Sequence, residues 1–237
     1  MQAYRNLNLG DSRFLDLTHA LQPEVPTWSG SCGFSSRQVS DYSQGCRVDT
    51  LAMTAGIGTH MDAPLHFMPQ GKAIADIELT DLILPICRLD IAAKAQLDYL
   101  LSVEDISEYE ASYGKIMSNS LVIIYTGWSR HWDNPEKYRS AGRHNVMHFP
   151  AISAAAAQLM VERGVAGVGI DTLSPDSSDS SFPVHHILLG AGKYIIENIA
   201  NADRLPAVGA YALVMPLKIS NGTESPIRLV ALLPNSS

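Results

Sequence analysis

His60, Asp62 and His66 stand within one short segment, Gly56-Ile-Gly-Thr-His-Met-Asp-Ala-Pro-Leu-His66. Two imidazoles and a carboxylate this close form a ligand set suited to Zn²⁺ or Mn²⁺. In extended backbone a spacing of two puts His60 and Asp62 on one face. His66 shares that parity, although Pro64 interrupts a continuous strand. Gly56 and Gly58 allow backbone or ligand to approach closely. The same residues also have a structural reading, with core histidines satisfied by hydrogen bonds and Asp-Ala-Pro as a turn. A second polar cluster far downstream favours the metal reading.

That cluster begins where Val165–Ile170 reads as a buried strand leading into Gly169-Ile-Asp-Thr-Leu-Ser-Pro-Asp176. Polar residues at the carboxyl end of a buried strand often build sites. Asp171 and Asp176 read first as turn formers, and Ser174 as a substrate contact or a turn hydroxyl. His185 follows Ser-Phe-Pro-Val, with His186 as a solvated neighbour. Glu197 lies in the apolar run Ile195-Ile-Glu-Asn-Ile199, where a carboxylate is costly unless it is paired or bound to a cation. His60, Asp62, His185 and Glu197 together make a set of two histidines and two carboxylates for a divalent ion, Zn²⁺ or Mn²⁺. Such an ion activates water and polarises a carbonyl, the chemistry of metal-assisted hydrolysis. His66 is left as the proton-transfer group, since imidazole ordinarily titrates near neutral pH.

Elements of both kinds must position these groups. Phe14–Thr18, Val48–Ala55, Ile83–Ile91 and Leu121–Tyr125 read as strands, with Val48–Ala55 leading into the His60 motif. Val103–Tyr113 reads as a helix with Ser102 as N-cap and acidic residues in its first turn. Ser153–Arg163 reads as a second helix, stopped by Gly164. Ile187–Ile199, Ala212–Leu217 and Leu229–Leu233 are further apolar segments. Trp128–Pro150 has no period and reads as a long excursion, a type of segment that is often functional. Strands and helices mix without the regular alternation of a doubly wound fold, so a single mixed α/β domain over residues 1–237 is expected.

Composition narrows the function. At 237 residues, with 46% hydrophobic and 17% charged residues, the chain suits a globular enzyme. A formal charge of −7 and the lack of a basic run argue against nucleic acid as a partner. Cys32, Cys46 and Cys87 do not suggest a disulfide framework. The segment Met1–Gly10 lacks the apolar core of a signal peptide, and no apolar run reaches membrane-spanning length. A cytoplasmic protein acting on a small molecule is expected, with no membrane partner.

Gly58-Thr-His60, Asp62, Pro64 and His66 resemble the hallmark motif of the cyclase family of metal-dependent hydrolases, which includes bacterial kynurenine formamidase and isatin hydrolase. The resemblance extends to Asp16-Leu-Thr-His, Leu121-Val-Ile-Ile-Tyr-Thr-Gly-Trp, Gly169-Ile-Asp-Thr-Leu-Ser-Pro-Asp, His185 and Glu197-Asn, in the family's order. It implies a barrel-like β core with flanking helices, of the swivelling β/β/α type, and a homodimer or homotetramer. It also implies His60, Asp62, His185 and Glu197 as metal ligands and His66 as the catalytic histidine. Trp28 and Trp128 become candidates for an aromatic wall around a planar substrate, with core packing as the alternative. The implied reaction is cleavage of a C–N bond in an aryl formamide, amide or lactam. N-formyl-L-kynurenine, giving L-kynurenine and formate, leads, and isatin-like lactams follow. A lactone hydrolase or polyketide-type cyclase is the second enzyme reading. The chain departs from the family at Gly56, where the motif's first histidine is expected. One tightly held ion, with a second weak or absent, is therefore expected, and a non-catalytic binding protein is the third reading.

Overall fold

A computed structural model describes residues 13–178 and 180–233; the Met1–Gly10 segment lies outside them. The strands are β1 (Arg13–Asp16), β2 (Phe34–Ser40), β3 (Val48–Met53), β4 (His60–Asp62), β5 (Ile83–Asp90), β6 (Leu100–Leu101), β7 (Leu121–Tyr125), β8 (Ala151–Ile152), β9 (Gly167–Ile170), β10 (Tyr194–Glu197), β11 (Tyr211–Pro216) and β12 (Glu224–Leu233). The helices are α1 (Val103–Tyr113), α2 (Pro135–Arg139), α3 (Ala154–Glu162) and α4 (Pro183–Gly190). Strands β12, β11, β5, β7, β9, β10 and β4 pair in that order, and β4 pairs again with β12 to close a barrel. Its β5–β7–β9–β10 side is parallel and the remaining pairings are antiparallel.

The strand period of two divides the core between two compartments. Along β7, Leu121 and Ile123 point into the barrel with Ile86, Ile196, Val214 and Leu229. Val122 and Ile124 point outward, where α1, α3 and α4 cover them with Ile106, Met160 and Leu188. Both long helices start as the sequence predicts. Ser102 accepts from the Asp105 N–H, and Ser153 accepts from the Ala156 N–H, each satisfying a backbone donor that the first helical turn leaves free.

The run Ile187–Ile199 holds the end of α4 and the whole of β10, divided by a turn at Ala191–Lys193. Val48–Ala55 does form a strand leading toward the His60 motif. Among the described residues this strand, β3, pairs with β2 alone, as an exposed two-stranded arm. The Trp128–Pro150 excursion is a packed cap rather than an open loop. Trp128, Trp132, Tyr138 and Phe149 bury Ile57, which lies between Gly56 and Gly58. Among the described residues, no helix is long and apolar enough to cross a membrane.

The Asp-Leu-Thr-His19 segment ties β1 to this cap and to the site. Thr18 Oγ1 accepts from the Leu229 N–H, and the His19 N–H donates to Thr59 Oγ1. The His19 ring stacks on Trp132 with centroids 3.9 Å apart, and its Nε2 is buried without a hydrogen-bond partner. Burial therefore lowers its pKa to about 4, against the opposing pull of Asp16. A folded-state value below the unfolded one means that this stability is complete above about pH 6.5. It is lost as pH falls toward 4. We predict that His19→Phe reduces the loss of stability between pH 6.5 and 4.5 by roughly 1 kcal/mol per pH unit, read from urea midpoints. An unchanged pH dependence would contradict this role.

Candidate active site and metal centre

The ionisable cluster lies on the outer face of the barrel, where three adjacent strands present it in register. Met61 points into the barrel core, so His60 and Asp62 point the other way. On one side of β4, Glu197 pairs opposite His60. On the other, Glu224 pairs opposite Asp62. Residues directly opposite share a face. The pairing thus gathers Glu197, His60, Asp62 and Glu224 from three distant parts of the chain, and His185 comes down on them from α4.

Each imidazole has one nitrogen committed to the scaffold. His60 Nδ1 lies 2.9 Å from the Gly58 carbonyl oxygen, which can only accept, so Nδ1 carries the proton. Gly58 sits at a φ of 62°, a conformation glycine adopts without strain. Its carbonyl also accepts from Asn198 Nδ2 at 3.0 Å. His185 Nδ1 lies 2.7 Å from Asp176 Oδ2. Asp176 also accepts from the Val184 and His185 N–H groups, satisfying donors at the start of α4 just after Pro183. The carboxylate thereby seats the helix and fixes the imidazole together. Both Nε2 atoms are left facing the carboxylates, the arrangement that a histidine ligand and its orienting partner show around a metal.

The spacing fits a divalent ion. His60 Nε2 is 3.5 Å from Asp62 Oδ1 and 3.3 Å from Glu197 Oε2. His185 Nε2 is 3.5 Å from Asp62 Oδ2 and from Glu197 Oε1. Two donors each about 2.1 Å from one ion at a tetrahedral angle lie about 3.4 Å apart. Asp62 Oδ1 is buried and accepts no hydrogen bond, a costly state for a carboxylate oxygen unless a cation serves it. Two ligand triads are possible, Asp62–His185–Glu197 and His60–Asp62–Glu224, and Asp62 belongs to both.

Without a cation, protons must balance this charge. Burial works to lower the His60 pKa, but Glu197 and Asp62 raise it to about 10. Burial also opposes protonation of His185, and Asp176, Asp62 and Glu197 push it up to about 12. For Asp62 burial is outweighed by the two imidazoles, which hold it below the usual carboxylate range. Burial, and then the charge of Asp62, raise Glu224. With both Nδ1 atoms committed, the balancing protons sit on the Nε2 atoms, where a metal ion would compete with them.

The cluster forms part of the wall of a cavity of about 580 Å³. Trp28, Phe67, Leu173 and Phe182 supply apolar wall, and Ser174 also lines it. Ser174 Oγ accepts from the Asp176 N–H, so its hydroxyl shapes the turn before α4. His66 stands at the cavity with Nδ1 3.5 Å from Glu224 Oε2, held in a short 3₁₀ turn that begins at Pro64. Trp128 is not among the lining residues. It is buried and donates its indole N–H to the Tyr138 carbonyl, which is the packing role. Asp171 is a turn former, accepting from the Thr126 N–H and hydroxyl and the Ser129 N–H. Sequence reasoning missed Phe67, Phe182 and Glu224, and it gave Asp176 no part in orienting His185. A carboxylate nine residues before His185 was the only available signal for Asp176. Glu224 gave none, because only the β4–β12 pairing brings it here.

The chain is similar to known proteins over nearly its whole length. The family model described as "Putative cyclase" matches residues 15–177. An isatin hydrolase from Roseibium aggregatum is 30% identical, over 96% of this chain and 94% of its own length. A kynurenine formamidase from Bacillus cereus is 28% identical, over 92% of this chain and 97% of its own. The crystal structure of an isatin hydrolase bound to the product analogue thioisatinate superposes with a TM-score of 0.88 at 25% identity, covering 95% of this chain and 94% of the other. Sequence, barrel topology and the buried His/Asp/Glu cluster converge, and the chain belongs to the cyclase family of metal-dependent amide hydrolases.

Proposed function

We propose that this enzyme hydrolyses the C–N bond of an aryl amide, with a neutral bicyclic lactam of the isatin type as its preferred substrate. The observation that carries this reading is the cavity, in which Trp28, Phe67 and Phe182 stand around a cluster of ionisable groups. Flat aromatic walls orient a planar ring, and the polar cluster fixes where its carbonyl sits. The described residues lining the cavity include no lysine or arginine. A neutral lactam therefore suits it better than N-formyl-L-kynurenine, whose amino-acid carboxylate would lack a cationic side chain there. The formamidase reading stays second, on the strength of the Bacillus cereus relative.

His60, Asp62, His185 and Glu197 are the residues that would hold the ion, Zn²⁺ or Mn²⁺, most tightly through Asp62, His185 and Glu197. When bound, a divalent ion supplies Lewis-acid polarisation of the carbonyl and a lowered pKa for water. Asp176 keeps the His185 Nε2 lone pair aimed at that position. His66 takes the proton released as water adds to the carbonyl and returns it to the leaving nitrogen as the C–N bond breaks. Its neighbour Glu224 supports the protonated imidazole between those two transfers.

We place this single-domain enzyme in the cytoplasm on its three unpaired cysteines. It works as a homo-oligomer through the β2–β3 arm, whose Val39, Tyr42, Val48 and Leu51 are exposed. Such a run of apolar side chains on a projecting hairpin is a surface that a second copy would cover.

Three outcomes are expected. His66→Ala lowers kcat by about 10²- to 10⁴-fold with metal content unchanged; unaltered turnover would remove His66 from the mechanism. The kcat/KM for isatin exceeds that for N-formyl-L-kynurenine, and the reverse order would favour the formamidase reading. Leu51→Asp combined with Tyr42→Asp in the arm shifts the sedimenting species toward the monomer, whereas an unchanged species would place the interface elsewhere.

A further inference from the structure

The two oxygens of Asp62 face different imidazoles, Oδ1 toward His60 and Oδ2 toward His185. Glu197 divides in the same way, with Oε2 toward His60 and Oε1 toward His185. A carboxylate that serves a separate donor with each oxygen is the arrangement that bridges two cations. One of the two places is complete in Asp62, His185 and Glu197. The other has His60 Nε2 and the orphan Asp62 Oδ1, and lacks a further ligand from its own segment because residue 56 is glycine.

Glu224 occupies that position. A Cβ built on Gly56 would overlap Glu224 Oε1, and it would lie 3.3 Å from His60 Nε2. The missing side chain and the carboxylate therefore share one space. Glu224 reaches it from β12 because it pairs opposite Asp62, and its other oxygen, Oε2, faces His66.

We propose that Glu224 replaces the ligand that Gly56 removes, and that His60, Asp62 and Glu224 bind a second divalent cation beside the first. This rests on the reading that Asp62, His185 and Glu197 hold a divalent ion. One imidazole and two carboxylates make a nitrogen- and oxygen-rich set suited to Mn²⁺ or Zn²⁺. Gly56 then has a steric purpose. It leaves room for a carboxylate delivered from the far end of the chain.

Metal-stripped full-length protein titrated with Mn²⁺, with free ion followed by electron paramagnetic resonance, tests this directly. The unsubstituted chain is expected to bind two ions, the second more weakly, and the pair bridged by Asp62 should lose the resolved hyperfine pattern of isolated Mn²⁺. Glu224→Gln keeps size and backbone and should weaken only the second ion, by tenfold or more. Gly56→Ala should do the same with Glu224 intact, because the new methyl group displaces the carboxylate. Retention of the first ion shows that each variant is folded. A single ion in the unsubstituted chain, or two ions held equally well in both variants, would overturn the proposal. Failure of the unsubstituted chain to bind any Mn²⁺ would instead overturn the metal reading on which it rests.

Discussion

Strand β4 is three residues long and hydrogen-bonded on both edges, to β10 and to β12. That double pairing closes the barrel, and it also builds the site. Closure fixes register, and register decides which side chains stand side by side. A one-residue slip on either edge would turn Glu197 or Glu224 into the barrel core and leave Asp62 with fewer partners. The apolar parity of Met61 against His60 and Asp62 resists that slip, since Met61 is packed among Leu15, Ile74 and Ile196 inside the barrel. The fold and the cluster are thus set by the same hydrogen bonds.

Gathering so many carboxylates onto a largely buried face is unfavourable unless positive charge balances them. The scaffold prepares for that charge without supplying it permanently. No lysine or arginine is among the cavity's described lining residues, and both histidines have their Nδ1 atoms tied to fixed acceptors. Protons can fill the Nε2 positions, as the raised imidazole values show. A cation competes for the same lone pairs and gains the orphan Asp62 oxygen as well. Rigid orienting contacts from Gly58 and Asp176 reduce the reorganisation needed on binding. The surrounding cap serves this purpose at a distance, because Ile57 is anchored among Trp128, Trp132 and Tyr138 between the two site glycines.

Local signals in the sequence were legible where the physics is local. The N-caps at Ser102 and Ser153 and the β-branched run Leu121–Tyr125 depend on near neighbours, and the structure reproduces them. His60 and Asp62 stood out by their close spacing and Glu197 as a carboxylate in an apolar run, with His185 as its candidate partner, and these four meet. The arm β2–β3 was harder to read, since its alternation is loose and both of its strands are largely exposed. Trp128 and Trp28 have the same chemistry, and only the path of the chain puts one in the core and the other at the cavity. Glu224 was invisible for the deepest reason. It carries no motif, and its meaning comes from pairing with a strand more than 160 residues earlier.

Whether the Asp62–His185–Glu197 face of β4, β10 and α4 holds a metal ion is read by anomalous diffraction at the Mn and Zn absorption edges, from crystals of protein purified without chelator. An anomalous peak is expected within bonding distance, about 2.0–2.3 Å, of His185 Nε2 and of oxygens of Asp62 and Glu197. A well-ordered site with ordinary water density there, unchanged after soaking in either ion, would contradict the metal reading.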